Sequence, residues 1–203
     1  MEINSKDITV YSLNPDVYSD RTFYIQELRD LGLFKAVERV VFNYKMKERL
    51  RTIITAHIYA LIKAFDSNAF PLLLLEDDAR LMKEFPKSMN IPNEASLVYL
   101  GGSTYNSGVT PNVYIQNYNS EYYRVYYMLC AHAILVMNKQ ACKLIIDRYV
   151  HAIFNGIFND QSLGLASKDN VFLTPKDGMY FYQKGVENVT KFEWKNRQNL
   201  LKK

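Results

Sequence analysis

The stretch PLLLLEDDARL, residues 71–81, decides the fold of this 203-residue chain. Its four consecutive leucines are too few to span a membrane. A short apolar run between a proline and charged residues is typical of a strand that is buried on both faces, as in a parallel sheet. The sequence therefore predicts a central buried strand at residues 72–75.

Three acidic residues, Glu76, Asp77 and Asp78, follow the leucines without a spacer. Adjacent carboxylates at the end of a buried strand repel one another. Mg²⁺ or Mn²⁺ relieves that repulsion, because these cations prefer carboxylate oxygens and share them with phosphates. Ligands of open α/β sheets also bind beyond the carboxyl ends of the strands. The alternative is a solvated acidic turn in which Asp77 or Asp78 caps a following helix, and the residues alone leave both interpretations open.

The composition is that of an ordinary globular domain, with 48% hydrophobic and 23% charged residues. A chain of this length can bury a sizeable core, so we expect one domain. The net charge of +4 favours an anionic ligand but is too small for a nucleic-acid-binding protein. Cys130 and Cys142 lie among apolar residues and are expected to be buried and reduced. With no signal segment and no membrane-length apolar run, the sequence predicts a soluble cytoplasmic protein.

Short β-rich segments alternate with amphipathic segments over the first hundred residues, which favours an α/β fold with a largely parallel sheet. Residues 122–137 are strongly β-like and predict two strands with a bend near Cys130, whereas residues 104–120 predict a loop. The other predicted strands are 8–13, 37–42, 96–100, 171–173 and 179–182, and the predicted helices are a segment after Arg21, 45–65, 80–85, 139–154, 161–166 and a final helix or frayed end at 191–203.

Several short segments follow one another in a fixed order through nearly the whole chain. They are Asn14 and Asp20-Arg21 after the first strand, TAHI at 55–58, LLEDDA at 74–79, YLGG at 99–102, AHAIL at 131–135, NDQSL at 159–163, and the late residues Pro175 and Gln183. In this order they resemble glycosyltransferase family 25, the lipooligosaccharide and collagen galactosyltransferase group. The chain departs from that family at residues 17–19, where an Arg-Arg pair is usual, and this departure leaves the donor sugar and the acceptor open.

The resemblance implies a GT-A glycosyltransferase fold, which is α/β with a mainly parallel central sheet flanked by helices. It divides the single domain into a nucleotide-sugar-binding half, residues 1–103, and an acceptor-binding half, residues 104–203. The compact length suits a small virus-encoded member acting in the host cytoplasm, or one domain of a longer enzyme. A monomer, or a part of a longer chain, is therefore expected.

Roles for the acidic triplet also follow from the resemblance. Asp78 is the expected direct ligand of Mn²⁺ or Mg²⁺, within the family's form of the metal-binding Asp-x-Asp motif. Glu76 is expected to ligate the metal or to hold the ribose, and Asp77 to hold sugar hydroxyls. The implied donor is a nucleotide sugar, a uridine diphosphate (UDP) sugar in the first place.

Further donor contacts are expected from the loop after the first strand, where Leu13, Asn14 and Arg21 would surround the base and phosphate. The guanidinium of Arg21 can fork onto phosphate oxygens, although an ion pair with Asp20 or Glu27 at a helix start explains this arginine equally well.

Three residues of the later strands complete the predicted donor site. The pair Gly101 and Gly102 follows a strand, where glycines allow the backbone to approach a ligand closely, although tight turns are their commoner use. His132 is a weaker candidate, because a strand histidine among apolar residues is more often a hydrogen-bonded core residue.

The catalytic candidate is Asp160, which matches the family's Asp-x-x-Leu. Inverting transfer needs a general base that takes the proton of the acceptor hydroxyl, here a hydroxyl of a glycan or glycoprotein. The alternative role for Asp160 is the N-cap of the helix predicted at 161–166. A catalytically inactive nucleotide-sugar-binding module and a metal-dependent phosphoesterase are the alternative functions, and a phosphoesterase usually needs more clustered His and Asp ligands than three scattered histidines supply.

Overall fold

The computed structural model describes residues 1–17, 22–103 and 113–184, and a mixed α/β sheet forms its centre. Its strands are β1 (Glu2–Asn4), β2 (Thr9–Pro15), β3 (Ala36–Phe42), β4 (Leu72–Leu75), β5 (Ala79–Leu81), β6 (Ser88–Asn90), β7 (Ala95–Ser103), β8 (Val113–Asn117), β9 (Tyr122–Val136), β10 (Val171–Pro175) and β11 (Phe181–Gln183). Its α-helices are α1 (Thr22–Asp30), α2 (Arg49–Ser67), α3 (Lys139–Asn155) and α4 (Asn159–Ala166).

The central sheet has seven strands in the order β10-β7-β9-β4-β2-β3, and β8 pairs with β9 beside this path. The pairs β2/β3, β2/β4 and β7/β10 are parallel. Strand β9 is antiparallel to β4, β7, β8 and β10, so it runs against the other six. The expected α/β architecture with a mostly parallel sheet is therefore confirmed. Two short ribbons, β1 with β6 and β5 with β11, lie outside this sheet.

The four leucines of β4 form the centre of the sheet, as the sequence predicts, and each is at most 2% exposed. Leu72 and Leu74 belong to the core cluster that contains residues of α2 and α3. Leu73 and Leu75 belong to the cluster on the other face, which contains residues of α1. Full burial of a leucine side chain stabilises a fold by about 1.5–3 kcal/mol, so this strand fixes the position of the carboxylates that follow it.

Helix α2 carries side chains to the carboxyl edge of the sheet. Its apolar face packs on the sheet through Ile54 and Leu61, which are buried. The helix ends at Asn68, whose left-handed backbone (φ 53°) lets its N–H reach the carbonyl of Ala64. The predicted start at residue 45 is slightly early, since Met46–Glu48 form a 3₁₀ turn before the α-helix.

The helix predicted at residues 80–85 is wrong. The chain instead turns after the acidic triplet into β5, which pairs antiparallel with β11. Arg80 lies over the ring of Tyr24 at 4.3 Å, and the N–H of Leu81 donates to the Tyr24 hydroxyl. Phe85 packs on Phe34 with ring centroids 5.1 Å apart. These tertiary contacts override the local preference for a helix.

The segment 122–137 is one strand rather than two. Strand β9 changes partners along its length, because residues Tyr122 to Arg124 pair with β10 whereas Ala133 to Val136 pair with β4. Strand β8 lies within the segment predicted as a loop, so that prediction is wrong for residues 113–117. Residues 104–112 and the predicted tail segment 191–203 lie outside the described residues.

The central sheet contains strands from residues 1–103 and strands from residues 113–184. The predicted division of the domain into a donor-binding half and an acceptor-binding half stays a prediction. Within the described stretches, none of the helices combines the length and apolar character required to cross a bilayer.

Candidate functional site

A cleft of about 270 Å³ opens at the carboxyl edge of β2, β3 and β4. This edge is where ligands of open α/β sheets bind. The cleft is lined by Leu13 and Pro15 of β2, Phe42 and Tyr44 at the end of β3, Arg49, Ile53 and His57 of α2, the triplet Glu76, Asp77 and Asp78, and Gln183 of β11. The fold thus brings together the acidic triplet and the end of the first strand, as the sequence predicts.

The acidic triplet forms the tight turn between β4 and β5. The N–H of Glu76 donates to the carbonyl of His132 at 2.9 Å, and the N–H of Ala79 donates to the carbonyl of Glu76 at 3.1 Å. Because a strand follows the turn, neither Asp77 nor Asp78 caps a helix, and that alternative is wrong. The three carboxylates line the cleft.

Asp78 has two unlike carboxylate oxygens. Its Oδ2 accepts a hydrogen bond from Nε2 of Gln183 at 2.9 Å. Its Oδ1 is buried and finds no hydrogen-bond donor among the described residues. Buried polar atoms are normally satisfied, and an exception calls for a water, an ion or a ligand. This oxygen therefore suits a cation.

Glu76 and His57 form a neutral contact at pH 7. Their atoms Oε1 and Nε2 lie 3.6 Å apart. Burial raises the pKa of Glu76 to about 8, and the charges of Asp78 and Asp160 add to this rise while Arg49 opposes it. Burial lowers the pKa of His57 to about 4, although a hydrogen bond to the carbonyl of Ile53 opposes the shift. The distance alone would suggest an ion pair, but both pKa shifts favour the neutral forms.

The contact with Ile53 assigns the tautomer of His57. Nδ1 lies 2.9 Å from the Ile53 carbonyl oxygen, which can only accept, so Nδ1 carries the proton. Nε2 then presents its lone pair to Glu76. A cation at this carboxylate would favour its ionised form and lower its pKa.

Asp160 lies in the first turn of α4, where its negative charge is favoured by the helix dipole. The N-cap is Phe158, so the prediction that Asp160 is the cap is wrong. Its Oδ1 accepts from the N–H of Gln161 at 2.9 Å. Burial raises the pKa values of Glu76 and Tyr99, and the Asp160 charge adds to both shifts. Asp160 is therefore close enough to Glu76 for its charge to act on that carboxyl group, although it stands outside the residues that line the cleft.

The end of β2 contributes Leu13 to the wall of the cleft, and a contact of Leu13 with a donor stays a prediction. Asn14 is 1% exposed, and its Nδ2 donates to the hydroxyl of Ser12 at 3.0 Å. Its Oδ1 is a buried acceptor with no hydrogen bond in the part of the chain that the structure describes. Arg21 lies outside the described residues.

Gly101, Gly102 and His132, which are predicted to contact the donor, contact other parts of the protein in the structure. A Cβ atom on Gly101 would lie 2.6 Å from Nε2 of His132, and one on Gly102 would lie 2.6 Å from Sδ of Met128. The ring of His132 is buried, with Nε2 3.2 Å from the carbonyl oxygen of Phe181. These contacts explain both glycines and the histidine by packing, and a ligand role for the three stays a prediction without a contact in the cleft.

Seven residues that line the cleft were not among the predicted site residues, namely Pro15, Phe42, Tyr44, Arg49, Ile53, His57 and Gln183. The sequence does carry a signal for Arg49, which lies with Lys45, Lys47 and Arg51 near the start of the predicted helix, where cations oppose the helix dipole. These four residues suit either a solvated basic face or a basic rim for a phosphate ligand. No periodic pattern in the sequence marks Phe42 and Tyr44, because they line the cleft only as a result of where β3 ends.

A metal can be held here only with help from the ligand. In the described residues, no group of three or more His, Cys, Asp or Glu side chains is arranged to hold a metal ion. Mg²⁺, however, is commonly bound by one or two carboxylates together with substrate phosphates and waters. The chemistry of Glu76 and the open Oδ1 of Asp78 fits that mode of binding.

The mixed α/β fold of this chain is similar to the folds of solved structures with low sequence identity. Among solved structures, the chain is similar to a glycosyltransferase involved in the glycosylation of the major capsid of PBCV-1, with a TM-score of 0.53 and 10% identity over 95% of this chain and 98% of that chain. It is also similar to A197 from STIV, with a TM-score of 0.50 and 12% identity over 85% of this chain and 82% of that chain. Neither a protein-family model nor a curated protein matches this sequence. At these identities the similarity shows the fold alone.

Proposed function

We propose that this chain is a metal-dependent glycosyltransferase of the GT-A type, related to family 25. It transfers a sugar from a UDP-sugar to a hydroxyl of a glycan or glycoprotein. The observation that carries the proposal is the buried, open Oδ1 of Asp78 beside Glu76, in a cleft at the carboxyl edge of the sheet. The similarity of the fold to a viral glycosyltransferase supports the class of reaction.

Asp78 and Glu76 would hold Mn²⁺ or Mg²⁺ together with the diphosphate of the donor. When bound, the cation supplies Lewis-acid stabilisation of the negative charge that develops on the leaving diphosphate. Arg49 lines the same cleft and places a second positive charge beside these oxygens. Asp77 would accept hydrogen bonds from sugar hydroxyls, because an ionised carboxylate only accepts.

The nucleoside would lie against the ends of β2 and β3. Leu13 and Phe42 give this part of the cleft apolar walls, with Tyr44 beside them. Asn14 holds an acceptor oxygen at the same strand end. The base and ribose of a uridine nucleotide combine an apolar face with polar edges, which suits such a lining.

Asp160 is the proposed general base. Its carboxylate takes the proton of the acceptor hydroxyl while the hydroxyl oxygen forms the new bond to the anomeric carbon. The bond from that carbon to the diphosphate breaks at the same time, and the electron pair leaves with the diphosphate. Attack from the face opposite the leaving group gives inversion at the anomeric carbon. Because the charge of Asp160 acts on Glu76, base and donor would belong to one site.

A screen of nucleotide sugars tests the proposal. We expect metal-dependent hydrolysis of a UDP-sugar by the wild type, none with a chelator present, and little with Asp78→Asn. The matched control is Asp66→Asn, an exposed aspartate of α2, which should keep wild-type turnover. Binding of the donor without turnover in any acceptor mixture would instead identify a binding module. Turnover that is equal with and without metal would contradict the metal-dependent mechanism.

A further inference from the structure

The last described strand contacts the acidic triplet through the side chain and the backbone. Gln183, at the end of β11, donates from Nε2 to Oδ2 of Asp78 at 2.9 Å. The N–H of Lys184 donates to the backbone carbonyl of Asp78 at 2.8 Å. These contacts join residues that are 105 and 106 positions apart in sequence.

The hydrogen bond from Gln183 fixes the rotation of the Asp78 carboxylate. The terminal torsion of an aspartate is broad and two-fold, so an unrestrained carboxylate exchanges its two oxygens. A donor on Oδ2 stops this exchange and leaves Oδ1 as the oxygen without a hydrogen bond. The carboxylate only accepts, which identifies the contacting amide atom as the nitrogen.

The neutral amide has a further consequence for a cation site. A lysine or arginine on Oδ2 would neutralise the carboxylate, whereas an amide orients it and leaves its charge for the metal. The nearby cation Arg80 donates to the backbone carbonyls of Asp77 and Ala79 and stacks on Tyr24. Its charge is thus directed to the backbone of the turn.

We propose that Gln183 is a positioning residue that sets the metal affinity of Asp78, an inference that rests on the proposed function. Outer hydrogen-bond partners of metal ligands typically change metal affinity by about 10–100-fold when they are removed. The ribbon of β5 and β11 then acts as the support that holds the metal-binding turn in its active geometry.

A purely structural role for Gln183 would be to hold β11 against β5. The backbone already provides that attachment, because Phe181, Tyr182 and Gln183 pair with Leu81, Arg80 and Ala79. Phe181 is also fully buried and belongs to the core cluster that contains α1. Loss of the amide donor should therefore leave the ribbon in place.

The test is a calorimetric titration of the full chain with Mn²⁺ in the presence of saturating UDP, whose phosphates complete the metal coordination. We expect Gln183→Met, which keeps the length of the side chain but removes the donor, to bind Mn²⁺ about tenfold more weakly or worse. The matched control is Gln116→Met in β8, where the amide donates to the hydroxyl of Tyr114 away from the cleft. Its affinity for Mn²⁺ should equal that of the wild type.

The outcomes separate this inference from the proposed function. Wild-type binding with an unchanged affinity in Gln183→Met overturns the positioning role alone. A wild type that does not bind Mn²⁺ overturns the metal site and the positioning role together. If Gln183→Met does not fold, Gln183→Asn decides, because its amide is one methylene too short to reach Asp78 and predicts the same loss.

Discussion

The raised pKa of Glu76 allows the pH dependence of the free energy of unfolding to be predicted quantitatively. In the metal-free protein this carboxyl group is protonated at neutral pH, since its pKa rises from 4.5 in a solvated group to about 8 in the cleft. Glu76→Gln keeps the size of the side chain and removes its titration. We therefore expect the substitution to flatten the pH dependence of the free energy of unfolding.

The sign and the size of this pH dependence follow from the linkage between proton binding and folding. Because the folded pKa lies above the unfolded value, the folded protein holds a proton that the unfolded chain releases. This stabilisation is fully present below pH 4.5 and is lost as the pH rises through about 8. Between these values one bound proton changes the free energy by about 1.4 kcal/mol per pH unit. From about pH 5.5 to about pH 7.5 the wild type should lose about 2–3 kcal/mol relative to Glu76→Gln.

Urea denaturation at both pH values, with a chelator present, measures this difference. In melting temperature it corresponds to a relative loss of about 4–12 °C for a chain of this size. The control Glu38→Gln removes a carboxylate of the half-buried ion pair with Lys63, outside the residues that line the cleft, and should follow the wild type. Parallel pH profiles for wild type and Glu76→Gln would refute the neutral state of Glu76.

Three further substitutions test separate parts of the account. Asp78→Asn should weaken Mn²⁺ binding measured by calorimetry while the melting temperature is kept, and an unchanged affinity would remove Asp78 from the metal site. Asp160→Asn should lower the transfer rate by about 10²–10⁴ with donor affinity retained, so normal turnover would exclude it as the base. Gly101→Ala should cost about 1–3 kcal/mol in urea denaturation, because the new methyl group would lie 2.6 Å from His132. An unchanged midpoint would contradict the packing role of this glycine.

The elements that the sequence predicts correctly are those whose structure is determined by the residues of one continuous segment. The leucines of β4 must be buried wherever the strand lies, and the carboxylates after them must then emerge at a sheet edge. The long periodic pattern of α2 is equally local. The helix predicted at 139–154 is local too, and the structure adds its N-cap, since the side chain of Asn138 accepts from the N–H of Ala141. Their positions were therefore predictable within a few residues.

The parts that sequence reasoning missed depend on contacts between distant segments. The turn after Asp78 becomes β5 only because β11 arrives beside it from residues 181–183. The close approach of Gly101 to His132 gives this glycine a packing role that the sequence did not show. Arg49 reaches the cleft because β3 and α2 end and begin at the same edge of the sheet. The local periodicity of a sequence does not show which distant segments will be in contact.

The most direct test of the central claim is a crystal structure with UDP and Mn²⁺, with data collected at the manganese absorption edge. We expect one anomalous peak within about 2.6 Å of Oδ1 of Asp78, with the diphosphate and Arg49 nearby. An anomalous peak bound elsewhere, or UDP bound in the cleft with no peak at Asp78, would contradict this claim.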